Sequence, residues 1–131
     1  PRLASGLPYF KPPYSTITAY DMNTGDIAFQ IPTGETPDRF RNNPALEGID
    51  IGDTGTGNAI TMVTTANMLV YSDMDSDGTT ALLYGIDKRT GEEIGKIEVP
   101  AQSRYGMSSW MHDGSVMCCF WRKLPKGYVH R

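Results

Sequence analysis

The chain has 131 residues, a net charge of −3, 14 glycines and 9 prolines. That length allows one domain with a modest core, and no run approaches the roughly 20 apolar residues that a membrane-spanning helix needs. The first 114 residues hold all 15 acidic groups against 8 Lys and Arg, a balance of −7, while the last 17 hold four basic groups and no acid. An acidic body excludes non-specific nucleic-acid binding, which needs a basic surface.

The chain opens at Pro rather than Met and shows no signal peptide, which predicts a processed product or an excerpt. Pro1 to Pro13 is rich in Pro and Gly and reads as an extended surface segment. Tyr14 to Ile31 reads as a hairpin. Thr16, Ile17, Thr18 and Tyr20 favour extended backbone, Asp21-Met22-Asn23-Thr24-Gly25 carries turn chemistry, and Ile27, Phe29 and Ile31 alternate with Ala28 and Gln30. Residues 32–58 form a long insertion, with a short helix expected at Pro44-Ala45-Leu46-Glu47 capped by Asn43. Long loops often carry function. Arg39 and Arg41 are therefore candidates to reach a substrate hydroxyl, the alternative being pairing with a loop carboxylate.

Thr54-Gly55-Thr56-Gly57-Asn58 is a glycine-rich turn without the Lys or spacing of a phosphate loop. Ala59 to Thr65 and Met68 to Tyr71 read as two strands joined at Ala66-Asn67. Asp73-Met74-Asp75-Ser76-Asp77-Gly78 matches the first half of a calcium loop, with Asp73, Asp75 and Asp77 as candidate ligands. The twelfth position is Tyr84 and strands flank the loop, so an EF-hand is excluded; a different calcium loop or a solvated acidic hairpin tip remain. Residues 80–99 form a second hairpin that repeats the first at an offset of 66 residues, Asp87 and Thr90-Gly91 answering Asp21 and Thr24-Gly25. A repeated hairpin suggests a blade-built architecture. Gly106 to Met111 starts a further strand, with His112-Asp113-Gly114 as its turn and Trp110 read as packing. His112 has no companion ligands at zinc spacing. Beyond Gly114 the composition changes to an apolar run, Val116 to Trp121, and a basic tail with Arg122, Lys123, Lys126 and Arg131. Cys118 and Cys119 fall short of a disulfide framework.

The motif Ala19-x-Asp21-x-x-Thr24-Gly25-x-x-x-Phe29 and its echo at Gly85-x-Asp87-x-x-Thr90-Gly91-x-x-x-Gly95 resemble the repeat of the pyrroloquinoline-quinone (PQQ) dehydrogenases, which are eight-bladed β-propellers. Gly6-Leu7-Pro8, Lys11-Pro12-Pro13-Tyr14, Ile17-Thr18-Ala19 and Arg41-Asn42-Asn43-Pro44-Ala45-Leu46 resemble the C-terminal part of the membrane-bound glucose dehydrogenase branch. The resemblance runs from about Gly6 to Gly114. It implies an all-β chain, antiparallel sheets forming about two blades, with residues 1–114 as partial propeller and 115–131 as a divergent tail. In the family the last motif position is usually a Trp that docks on the next blade; Phe29 and Gly95 there imply docking weakened or lost.

The resemblance further implies PQQ and calcium in the parent family, a small sugar or alcohol substrate and a periplasmic location. Asn58 is then a candidate PQQ contact, and Arg39 and Arg41 would line the funnel mouth. The family's catalytic residues lie outside these motifs, so no catalytic residue is assigned, no cofactor is assigned to this chain alone, and the chain by itself is expected to be inactive. Adjacent cysteines contact the cofactor in some of these enzymes, but within a different motif, so Cys118-Cys119 is read as coincidence. Uncovered blade faces imply that the chain sits against the rest of a propeller or self-associates. The competing reading is a non-catalytic β-propeller-like binding or assembly module, stabilised by calcium in one version, with residues 32–58 as its binding surface.

Overall fold

The computed structural model describes residues 2–120. Residues 121–131, with Trp121 and the basic residues of the tail, lie outside the described residues. Eight strands form three antiparallel sheets, and the only helical segments among the described residues are two short ones in the 32–58 insertion. β1 (Thr16–Tyr20) and β2 (Ile27–Pro32) make a two-stranded sheet. β3 (Thr61–Thr64), β4 (Met68–Met74), β5 (Ala81–Asp87) and β6 (Glu93–Val99) make a four-stranded meander in sequence order. β7 (Met107–His112) and β8 (Ser115–Phe120) make a second two-stranded sheet. This is one complete blade between two half-blades. By the 66-residue repeat, β1 and β2 correspond to β5 and β6, the outer pair; β7 and β8 follow as β3 and β4 do, the inner pair. Pairing continues past Gly114 into Ser115–Phe120, where β-branched, aromatic and sulfur-bearing side chains suit a strand.

The repeated turn is the same structure twice. Asp21 Oδ1 accepts from Asn23 N at 2.8 Å and Asp87 Oδ1 from Arg89 N at 2.7 Å. Thr24 and Thr90 hydroxyls each accept, at 3.2 Å, from the N–H two residues on. Gly25 and Gly91 hold φ of +80° and +78°, and the pairing register shifts just before each turn, between Ala19 and Tyr20 and between Gly85 and Ile86. The shared sequence therefore encodes a bulged hairpin stabilised by its own side chains.

The core lies between the first half-blade and the blade. Ile17 packs with Leu69, Tyr71, Leu82, Tyr84 and Ile86, with Ile31 and Ile60 at its margin. Docking at the motif's last position survives in the first copy, contrary to the expectation from the missing Trp. The Phe29 ring lies against Gly91, so that a Cβ there would come 2.7 Å from the ring. Phe supplies enough ring to fill the contact, and Gly91 admits it because it has no side chain. In the second copy the position is Gly95, with nothing nearby.

In such a meander the connections alternate between the two ends of the sheet. The tight turns after β1, β3, β5 and β7 share one end. The β2–β3 connection, the β4–β5 loop and the β6–β7 connection gather at the other, and there the insertion becomes ordered. It contains α1 (Asp38–Arg41) and a 3-10 turn, Pro44–Leu46, in which the Asn43 side chain accepts from Ala45 N as expected of an N-cap. Buried hydroxyls hold the insertion. Thr33 Oγ1 donates to Ser15 Oγ at 2.6 Å, and Thr36 Oγ1 donates to the Gly52 carbonyl while accepting from Thr54 N. Thr33, Thr36 and Thr54 are buried, so these bonds satisfy groups that water cannot reach.

Candidate functional site

The loop end of the blade carries a polar cleft of about 270 Å³. Its walls are α1 with Asp38 and Arg39, the turn at Thr56 and Asn58, the β4–β5 loop from Met74 to Gly78, and Arg104. Four of the six sequence candidates, Arg39, Asn58, Asp75 and Asp77, therefore meet at one site. Arg41 stands outside it, exposed on the last turn of α1. Among the described residues neither Arg39 nor Arg41 forms an ion pair; Arg39 instead places its guanidinium 4.8 Å from the Phe40 ring centre.

Asp73 is the floor of the site and has no solvent-accessible surface. It accepts from Thr56 Oγ1 at 2.6 Å, from Asn58 Nδ2 at 3.0 Å and from its neighbour Met74 N at 2.7 Å; Gln102 Nε2 stands at 3.5 Å. Thr56 Oγ1 also accepts from Asn58 N. The Thr-Gly-Thr-Gly-Asn turn is thus clamped to a strand carboxylate. Gly34 makes the approach feasible: its φ is +65°, and a Cβ there would lie 2.7 Å from the Thr56 methyl and 2.9 Å from Asp73 Oδ2.

The three candidate calcium ligands do not converge. Asp73 is spent on the clamp, Asp75 accepts from Ser76 N, and Asp77 accepts from the N–H and hydroxyl of Thr79. The Thr79 hydroxyl, with its N–H next, holds the Asp77 carboxyl below the usual carboxylate range. Among the described residues no three of His, Cys, Asp and Glu come together in a set that could hold a metal ion. The donor set does not fit calcium.

Lined by two guanidiniums and by the Asp38, Asp75 and Asp77 carboxylates, the cleft presents polar groups of both signs, suited to one wall of a site for a hydroxyl-bearing molecule. Arg39 and Arg104 supply guanidinium donors, and Asn58, oriented by Asp73, retains amide hydrogen-bonding capacity. The volume is below the 300–1,000 Å³ usual for an enclosed small-molecule pocket, as expected of a wall. Thr56, Gln102 and Arg104 were not singled out by sequence. The glycine-rich turn is the only local signal for Thr56. Gln102 and Arg104 reach the site from the β6–β7 connection, 29 residues from Asp73 in the case of Gln102, with no motif of their own.

Beside the clamp, Tyr71 and Tyr84 stack across β4 and β5 with ring centres 4.8 Å apart. Tyr71 accepts from Gly34 N at 3.0 Å, and burial pushes its hydroxyl up to about 12. Burial raises Tyr84 as well, and its hydroxyl has no hydrogen-bond partner among the described residues. Lys96 pairs with Glu35, which raises the lysine.

Residues 2–117 match the family model described as PQQ, "Glucose/ethanol/alcohol dehydrogenase, beta-propeller domain". The chain belongs to the PQQ-type dehydrogenase propeller family. No curated protein and no solved structure matches it. The match spans the first half-blade and the whole blade, with both Asp-x-x-Thr-Gly hairpins, together with β7 and the first three residues of β8. The Asp-x-x-Thr-Gly hairpins lie at the end of the sheet opposite the cleft, and the matched residues include those of the cleft as well.

Proposed function

We propose that this chain forms wall and funnel-mouth loops of a PQQ-dependent sugar or alcohol dehydrogenase of the membrane-bound glucose dehydrogenase branch, working in the periplasm and inactive alone. The observation that carries the reading is the convergence of Arg39, Asn58 and Arg104 on one cleft at the loop end of a blade belonging to this family. Bound PQQ supplies the hydride acceptor. The residues of this chain bind and orient: Asn58, fixed by Asp73, presents its amide at a defined angle, and Arg39 and Arg104 attract carboxylate or hydroxyl oxygens. The clamp keeps the Asn58 amide in place before the ligand arrives, which lowers the ordering cost of binding. No base for the substrate hydroxyl is assigned to this chain.

Equilibrium dialysis of the 131-residue chain against PQQ, read by quinone absorbance, tests the reading. Weak binding that falls about tenfold in Arg39→Ala and Arg104→Ala is expected, with no dye reduction when glucose is added. Absence of binding at millimolar PQQ, or binding indifferent to both substitutions, removes the basis for the cleft as a cofactor or substrate wall.

A further inference from the structure

A second cleft, of about 190 Å³, lies between the first half-blade and the blade. It shares no wall residue with the polar cleft at the loop end. Ile31 and Glu35 stand on one side, and Tyr84, Ile86 and Glu93 on the other, so both sides belong to the interface that holds the core.

The floor of this cleft is the Tyr84 hydroxyl. Tyr84 is 1% exposed, and its oxygen has no hydrogen-bond partner among the described residues. The direction of the ring follows from its neighbours. Tyr71 and Tyr84 are cross-strand partners whose rings stack 6° from parallel. The Tyr71 hydroxyl accepts from Gly34 N, and Gly34 lines this cleft. Glu35 and Glu93, both in the cleft, stand close enough to the Tyr84 hydroxyl to add to the rise that burial gives it. The oxygen end of the ring therefore faces the cleft, protonated and with its lone pairs unused. Buried hydroxyls are almost always paired, and this one points to a group that the chain itself does not supply.

The mouth sets the chemistry of that group. It carries Glu35, Asp53 and Glu93. Glu35 pairs with Lys96, whereas Asp53 and Glu93 have no ion pair among the described residues. Carboxylates only accept hydrogen bonds, so an occupant must donate at the mouth. The three do not come together in a set that could hold a metal ion. The N–H groups of a single nitrogen diverge, which suits acceptors spread around a rim. The fold already makes this contact once: the Lys96 ammonium pairs with Glu35 and stands 5.9 Å from the Tyr84 ring centre. A neutral polyol offers the same hydrogen bonds but leaves two carboxylate charges uncompensated.

We propose that this cleft binds a small molecule with a primary ammonium head. Its N–H groups donate to Tyr84 Oη on the floor and to Asp53 and Glu93 at the mouth, and its carbon chain lies against Ile31 and Ile86. The site is separate from the cofactor wall and does not depend on it.

An NMR titration of the isotope-labelled full chain tests this, with propylammonium, tetramethylammonium and glycerol as probes at neutral pH and constant ionic strength. Propylammonium is expected to move the backbone amide signals of Gly34 and Gly91 saturably, while tetramethylammonium, which has the charge without the N–H groups, and glycerol, which has hydroxyls without the charge, leave them in place. Tyr84→Phe removes the floor oxygen and is expected to weaken propylammonium about tenfold; Glu93→Gln, at an exposed position, weakens it as well and serves if Tyr84→Phe does not fold. The proposal is overturned if propylammonium gives no saturable shift, if either control probe shifts the same signals equally, or if affinity is unchanged in Tyr84→Phe or in Glu93→Gln.

Discussion

Asp73 is the group on which the loop end depends most, and its removal gives the sharpest test. Asp73→Ala strands the Thr56 hydroxyl and the Met74 N–H, while the exposed Asn58 amide recovers water. A buried donor left unpaired costs about 1–3 kcal/mol, and the part-buried Met74 N–H adds no more than that. Removing the carboxylate also removes its own desolvation penalty, which pulls the net loss toward the low end, to about 2–3 kcal/mol. Asp73→Asn keeps the shape and one acceptor oxygen, and the Thr56 hydroxyl can rotate to accept from the new amide, so its loss is about 1 kcal/mol. Urea unfolding at fixed protein concentration measures both, as midpoint shifts at constant slope. Thr56→Val closes the double-mutant cycle, and coupling with Asp73→Ala of about 1 kcal/mol or more is expected of a direct bond. If Asp73→Ala lies within about 0.5 kcal/mol of the parent, or couples with Thr56→Val no more than a distant pair does, the clamp is not what holds the cleft and the argument fails.

The paired glycines separate strain from packing. Gly25→Ala meets open space and is expected to cost about 1–2 kcal/mol for left-handed backbone alone, whereas Gly91→Ala also drives a Cβ into the Phe29 ring and costs more; equal losses in thermal melts would show that Phe29 does not dock there. Tyr84→Phe removes a buried hydroxyl that has no partner among the described residues, so stability is expected to hold or rise, and a loss above about 1 kcal/mol in urea points to a bond that this geometry does not contain. Tyr71 is raised from 10.0 to about 12 in the fold. Its stabilisation is therefore intact below pH 10 and is lost as pH climbs from 10 to 12, because the unfolded chain ionises first; urea midpoints across that window should fall in the parent and less steeply in Tyr71→Phe. Calcium is expected to leave the melting temperature unchanged, since Asp73, Asp75 and Asp77 do not converge; a concentration-dependent rise would restore the calcium loop.

The hairpins were legible in the sequence because everything that makes them is local. Asp21 and Asp87 bond two residues along, Thr24 and Thr90 do the same, and Gly25 and Gly91 take a backbone that other residues resist. The same locality made the Asn43 cap and the Ala66-Asn67 turn readable. The all-β class followed from these signals together, and the order of motifs pointed to the family.

The cleft was readable only in part. Sequence singled out Asn58 and Arg39, but treated Asp73, Asp75 and Asp77 as one ligand set because they alternate along the chain. Residues two apart share one face of a strand, but β4 ends at Met74, so Asp75 and Asp77 fall in the loop beyond it, and the packing of the insertion over β4 decided that Asp73 would be buried beneath Thr56 while Asp77 faced solvent. Phe29 shows the same limit: its identity departs from the family's Trp, yet docking depends on the partner, and Gly91 lies 62 residues away. Gln102 and Arg104 joined the site through a connection with no motif of its own. The sequence by itself determined the bulged hairpins and the blade repeat, whose bonds close within a few residues. The cleft and the clamp belong to tertiary structure, because each is made by side chains that only the packing of the insertion and its neighbouring connections over the blade brings within reach.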